Sequence, residues 1–253
     1  YEKYGADLSA EYHHLIRDVN SCYLSSSLAV DLANKYDSDL HVFHLTTEKE
    51  MDLFSAGAID GKKITSEVCV HHMFFNQTHY SKLGNQIKCN PSIKSESDRL
   101  ALIKSLLEDK IDIIATDHAP HTWNEKCKPY PEAPAGLPLV QHGLQILMDF
   151  YHNDVLTLET IVEKTSHNVA KRFQIKDRGY IREGYYADLA ILDLHNSYEV
   201  SKDNILYKCG WSPFEGHEFT SSIFMTIVNG NIAFKDGLVT ENLPFGMQIE
   251  FNR

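Results

Sequence analysis

A carboxylate and two imidazoles crowd the run Thr116-Asp117-His118-Ala119-Pro120-His121. Side chains of these types bind first-row divalent cations and move protons. The preceding run, Ile111-Asp112-Ile113-Ile114-Ala115, is short, apolar and β-branched, and it reads as a buried strand. Asp117 therefore stands at the C-terminal end of a strand, just before a turn closed by Pro120. In a (β/α) barrel that end carries the catalytic groups. Taken alone, the run reads equally well as an aspartate capping a turn beside two surface histidines.

Two more strand ends carry the same residue types. Leu40-His41-Val42-Phe43-His44-Leu45 reads as a strand closed by Thr46-Thr47. Residues 64–70, with TSEVCV at their core, read as the next strand and run into His71-His72. Strand ends of a parallel barrel share one face, so His44, the His71-His72 pair and Asp117 converge there. Imidazole and carboxylate from separate strand ends are what a first-row cation site needs. Three such ends in register favour a functional reading over a structural one.

The elements that must position these groups follow the same pattern. Leu24, Leu28 and Leu32, with Ala29 and Ala33, mark an amphipathic helix. Residues 48–54 form a short helix ended near Gly57. Ser95-Glu96-Ser97-Asp98 has the shape of a capping box. It opens a helix with Leu100, Ile103, Leu106 and Leu107 on one face. Three successive strand–helix units imply a parallel sheet or barrel. Residues 121–136 form a long loop with three prolines, a length that compact domains keep for function. Helices follow over about 138–152 and 158–173.

After Gly184 the pattern changes. Residues 188–194 read as a strand, and residues 222–227 and 232–234 flank the hairpin signal Val228-Asn229-Gly230-Asn231. This tail is antiparallel β and predicts a small appended sandwich.

The bulk numbers narrow the function further. The 253 residues are 43% hydrophobic and 23% charged, which is ordinary for a soluble globular protein. A net charge of −11 argues against nucleic acid or an anionic membrane as partner. An anionic substrate therefore needs a local cluster of donors. The five cysteines are scattered without a CxxC pair, which favours free thiols in a reducing cytoplasm. No apolar run is long enough to span a membrane, and Tyr1-Glu2-Lys3-Tyr4 shows no signal-peptide pattern.

Several runs resemble dihydroorotases of the amidohydrolase superfamily, in the order found there. They are HLTT (44–47), EVCVHH (67–72), KCNPSIKS (88–95), TDHAPH (116–121) and EAPAG (132–136). The tail runs EGYYADLAILDL (183–194), KCGWSPFEG (208–216) and TIVNG (226–230) are also similar to that family. The resemblance implies an α/β fold: the C-terminal part of a (β/α)8 TIM-type barrel over residues 1–180, with a β-sandwich segment over 181–253. It implies a cytoplasmic, zinc-dependent enzyme, a homodimer, that interconverts L-dihydroorotate and N-carbamoyl-L-aspartate. A hydantoinase- or allantoinase-like enzyme, or an inactive scaffold, is the alternative.

The same resemblance implies residue roles. His44 and Asp117 match ligands of a two-zinc centre, with Asp117 also the general acid/base. Asn90 and His121 match the side chains that hold the substrate ring and carboxylate. The backbone of Ala135 and Gly136 matches the loop that hydrogen-bonds the ring edge. His71 and His72 match a pair expected to pack behind the ligands. Lys94 stands where an arginine is usual, and Ala135 where an aromatic residue is common. The family's His-x-His is missing, since that spacing occurs nowhere in the sequence. A barrel alone takes about 250 residues, so the chain reads as a C-terminal piece lacking the N-terminal half of the active site.

Overall fold

The computed structural model describes residue 5, residues 8–241 and residues 246–252. Two compact units make up the fold. One holds the described residues up to Gly143 together with Ile205–Glu215. The other holds Leu144–Asn204 and the described residues from Gly216 onward.

In the first unit, α1 (His13–Ile16) and α2 (Val19–Tyr36) lead into β1 (Leu40–Val42) and β2 (Ile64–Cys69). The helices α3 (Val70–Phe74), α4 (Tyr80–Leu83) and α5 (Glu96–Leu107) separate β2 from β3 (Ile113–Ala115). The three strands pair in the order β1-β2-β3, both pairs parallel, with Leu40 opposite Ile64 and Glu67 opposite Ile113. This is the parallel arrangement that strand–helix alternation implies. Buried Asp112 ties β2 to the start of β3: its carboxylate accepts from Ser66 N at 3.0 Å and from Lys62 Nζ at 2.8 Å.

Two helices present other faces inward than their leucines predict. On α2, Leu24, Leu28 and Leu32 are 67%, 61% and 46% exposed, while Ser26, Val30 and Ala33 are buried. The reason is a polar anchor. Ser26 Oγ donates at 2.6 Å to Glu50, a buried carboxylate on the 3-10 turn Glu48–Leu53, and that bond fixes the helix rotation. On α5 the capping box forms as expected: Ser95 Oγ accepts from Asp98 N and Asp98 Oδ2 accepts from Ser95 N. Its inward face is Asp98, Leu102, Ser105 and Leu106, leaving Leu100 and Leu107 exposed. Asp98 Oδ1 accepts from Glu48 N at 2.9 Å, which turns that side inward.

The expected loop contains one short helix, α6 (Trp123–Lys126), behind a capping box of Thr122 and Glu125. Next, α7 (Gly143–His152) leads toward the second unit, which continues with α8 (Leu158–Val162), a π turn at Glu163–His167, and α9 (Asn168–Phe173). The predicted helix over 158–173 is thus interrupted. After it come β4 (Leu189–Asp193), β5 (Tyr198–Glu199), β6 (Glu218–Phe219), β7 (Ser222–Val228), β8 (Asn231–Lys235) and β9 (Leu238–Val239). They pair antiparallel, in a sheet of order β4-β7-β8-β9 and a β5-β6 ribbon. Asn229 and Gly230 join β7 to β8 with φ of 50° and 78°, the left-handed pair that a tight type I′ hairpin requires. Among the described residues, no helix is long and apolar enough to cross a membrane.

Candidate metal and substrate site

β1 stops at Val42, two residues short of His44, because the backbone there turns left-handed: φ is 43° at His44. Asp117, past the end of β3, has φ of 48°. Left-handed backbone at residues other than glycine costs of order 1 kcal/mol and clusters at functional positions. His44 Nδ1 is buried with no hydrogen-bond partner among the described residues. The Asp117 side chain is exposed and likewise accepts no hydrogen bond there. An orphaned imidazole nitrogen past β1 and an uncommitted carboxylate past β3, ends of the same parallel sheet, are donors of the types that fit a divalent cation.

Behind them lies the end of β2. Burial pushes the Cys69 thiol well above the ordinary thiol range, helped by the charges of Glu67 and Asp117. Burial also lowers His71 to about 3, with a contribution from His44. His72 is held well below the ordinary range by burial first and by His71 next. His44 therefore shares an electrostatic neighbourhood with His71 and His72, as Asp117 does with Cys69.

Gly136 links the 132–136 run to Lys88 and to His121. Its N–H donates to the Lys88 carbonyl at 2.8 Å, which fastens the loop to the Lys88-Cys89-Asn90 segment. Its own φ is 143°, and a Cβ there would overlap Ala119 O and lie 3.0 Å from His121 Cδ2. Only glycine allows this approach. His121 Nε2 donates to the Ala135 carbonyl at 3.1 Å. Asn90 presents an exposed side chain from the same segment. The Gly136 N–H itself is committed to the Lys88 carbonyl. His118 is an anchor, with Nδ1 accepting from Leu139 N at 3.0 Å and Val140 N at 3.2 Å. A cleft of about 560 Å³ opens beside His121, between Pro120, Thr122, Glu125, Tyr207 and Cys209.

Sequence reasoning singled out Lys94 but missed Lys88 and Lys126. Lys88 Nζ donates to Tyr130 O at 2.6 Å and Ala133 O at 2.5 Å. Lys126 Nζ donates to Lys88 O, Pro134 O and Gly136 O at 3.2, 3.0 and 2.9 Å. Lys94 donates to Ser92, and all three lysines are buried. Burial brings the Lys126 ammonium down to about 8 and also lowers Lys88. His13 completes the support. Burial lowers it to about 4, so it is neutral: Nε2 donates to Cys89 O at 2.7 Å and Nδ1 accepts from Tyr130 Oη at 2.8 Å. The three ammonium groups place positive charge beneath the loop in a chain of net charge −11.

Residues 29–233 match the model of the amidohydrolase family. The dihydroorotase of Methanosphaera stadtmanae is 35% identical over 208 residues, covering 82% of this chain and 48% of that relative. The dihydroorotase of Halobacterium salinarum is 33% identical over 214 residues, covering 84% and 49%. Among solved structures, L-hydantoinase from Arthrobacter aurescens aligns with a TM-score of 0.79 at 24% identity, covering 88% of this chain and 51% of that one. At that identity the likeness speaks for the fold alone. The chain spans about half the length of the curated relatives it matches.

Proposed function

The chain belongs to the amidohydrolase family, and on that premise we propose that it is the C-terminal part of a dihydroorotase. The reaction is the reversible opening of the L-dihydroorotate ring to N-carbamoyl-L-aspartate. One observation carries this reading. Gly136 joins three runs that are distant in sequence, KCNP, TDHAPH and EAPAG, through its bond to Lys88 and its packing on Ala119 and His121. That junction supports reading Asn90, His121 and the backbone of Ala135 and Gly136 as parts of one substrate site.

We read residues 1–180 as the last strand–helix units of a (β/α)8 barrel and residues 181–253 as its appended β-sandwich. The parallel order β1-β2-β3 and the antiparallel order β4-β7-β8-β9 support that division. His44 and Asp117 would hold two zinc ions, together with ligands that this chain does not carry. When bound, such cations supply Lewis acidity toward the ring carbonyl and toward water. Asp117 takes up a proton on ring opening and delivers it to the leaving ring nitrogen; closure runs the same path backwards. Its exposed, uncommitted carboxylate suits that exchange. Asn90 and His121 hold the ring and its carboxylate, so reacting groups meet in one geometry. The buried lysines offset the charge of a dianionic substrate.

The test offers L-dihydroorotate, hydantoin and allantoin to the full-length protein. We expect dihydroorotate to be turned over at least about 100-fold faster than the others. Preference for hydantoin or allantoin would replace this reading with another cyclic amidohydrolase. Loss of all turnover in protein that still binds metal would point to an inactive scaffold.

A further inference from the structure

β2 ends at Cys69 and α3 begins at Val70, so the chain passes from extended to helical spacing between them. That turn folds three side chains onto one point. The ligand atoms of Cys69, His71 and His72 all lie within 4.8 Å of one another. Cys69 and His71 are fully buried and His72 is 3% exposed. Neither ring nitrogen of His71 has a partner among the described residues, and His72 Nδ1 has none either. The tautomer of His72 follows from its other nitrogen. Nε2 faces the Pro91 carbonyl at 3.1 Å, and a carbonyl only accepts, so Nε2 carries the proton. His72 Nδ1, buried and without a partner among the described residues, is the ring nitrogen left for a ligand. Each buried polar atom left unsatisfied costs about 1–3 kcal/mol, and packing alone does not account for such atoms gathered beside a thiol.

We propose that Cys69, His71 and His72 form a binding site for a soft divalent cation of the zinc class, with one thiolate and two neutral imidazoles as ligands. Zinc bonds of ~2.3 Å to sulfur and ~2.0 Å to nitrogen set ligand atoms ~3.5 Å apart on a tetrahedral ion. Closing this cluster onto a cation takes side-chain shifts of roughly an ångström or less. The Cys69 thiol proton leaves to solvent on binding, and no redox change is involved. Cys89 lies outside the set. Its Sγ sits 3.7 Å from His72 Nε2, the protonated nitrogen, and donates to Pro91 O at 3.2 Å. The thiolate distinguishes this site from His44 and Asp117, which offer nitrogen and oxygen only. The inference stands on the β2–α3 turn and does not depend on the dihydroorotase reading.

The experiment is a Co2+ titration of the full-length protein carrying His44→Ala and Asp117→Asn. We expect a thiolate-to-cobalt charge-transfer band that saturates at one equivalent, is lost with Cys69→Ser, and is weakened with His71→Gln. Zinc-edge X-ray absorption of the unsubstituted protein gives a check that needs no variant, with sulfur expected in the metal shell. No charge-transfer band, an undiminished band in Cys69→Ser, unchanged affinity in His71→Gln, or a shell of nitrogen and oxygen alone would overturn the proposal.

Discussion

Replacing Lys126 by methionine separates two effects that oppose each other at neutral pH. The ammonium satisfies Pro134 O and Gly136 O, and removing a donor from a buried carbonyl costs about 1–3 kcal/mol each. Against that, burial holds the ammonium at about 8, below the ordinary lysine value of 10.5. At about 1.4 kcal/mol per pH unit, that difference is worth about 3 kcal/mol. Its sign is set by proton counts. Between those values the unfolded chain keeps a proton that the folded chain has released. The unfolded state binds more protons there, so stability rises with pH across that window. Below pH 8 the burial cost is fully present, and Lys126→Met should fall within about 2 kcal/mol of wild type. By pH 10.5 wild type has shed that cost, and the variant should lag by about 3 kcal/mol more. Urea denaturation of both proteins from pH 7 to 10.5 measures the difference, in which other titrating groups cancel. A difference that stays constant with pH would refute the reasoning. Faster hydrogen exchange at the Gly136 amide in Lys126→Met would locate the loosening in the 129–136 loop.

Asp112→Ala leaves the Ser66 N–H without its acceptor and leaves the Lys62 ammonium only the Asp109 carbonyl, and urea denaturation should show a loss of about 1–3 kcal/mol; a loss below about 0.5 kcal/mol would mean the groups are solvated. Asn90→Ala and His121→Ala should leave zinc content unchanged in the full-length protein while raising KM or lowering kcat. Metal loss in either variant would move that residue into the metal site.

Much of the frame was legible in the residues. β-branched runs marked β2 and β3, the Ser95 box marked the start of α5, and Asn229-Gly230 marked the hairpin, because each is a local rule satisfied by neighbours in sequence. What failed was rotation and burial. The leucines of α2 define a face, but Ser26 bonding to Glu50 decides which face turns inward, and that bond joins residues far apart in sequence. Nothing in the sequence near Lys88 or Lys126 shows that their ammonium groups collect carbonyls from residues 130–136. The Cys69, His71 and His72 cluster was hidden because its spacing matches neither a strand nor a helix; it arises where one becomes the other. At Asp117 the strand-end position was readable, whereas its left-handed backbone was not.

Asp117 is the group proposed here as the general acid/base of a dihydroorotase. The most direct measurement is turnover by the full-length protein, wild type beside Asp117→Asn, with ring opening of L-dihydroorotate and ring closure of N-carbamoyl-L-aspartate followed separately. Far-UV circular dichroism of the variant should match wild type, which shows that any loss of turnover is not a loss of fold. Wild type should turn over both compounds, and the variant should lose at least about 100-fold in both directions. Wild-type protein inert toward both compounds, or a variant that keeps either direction, would contradict this assignment.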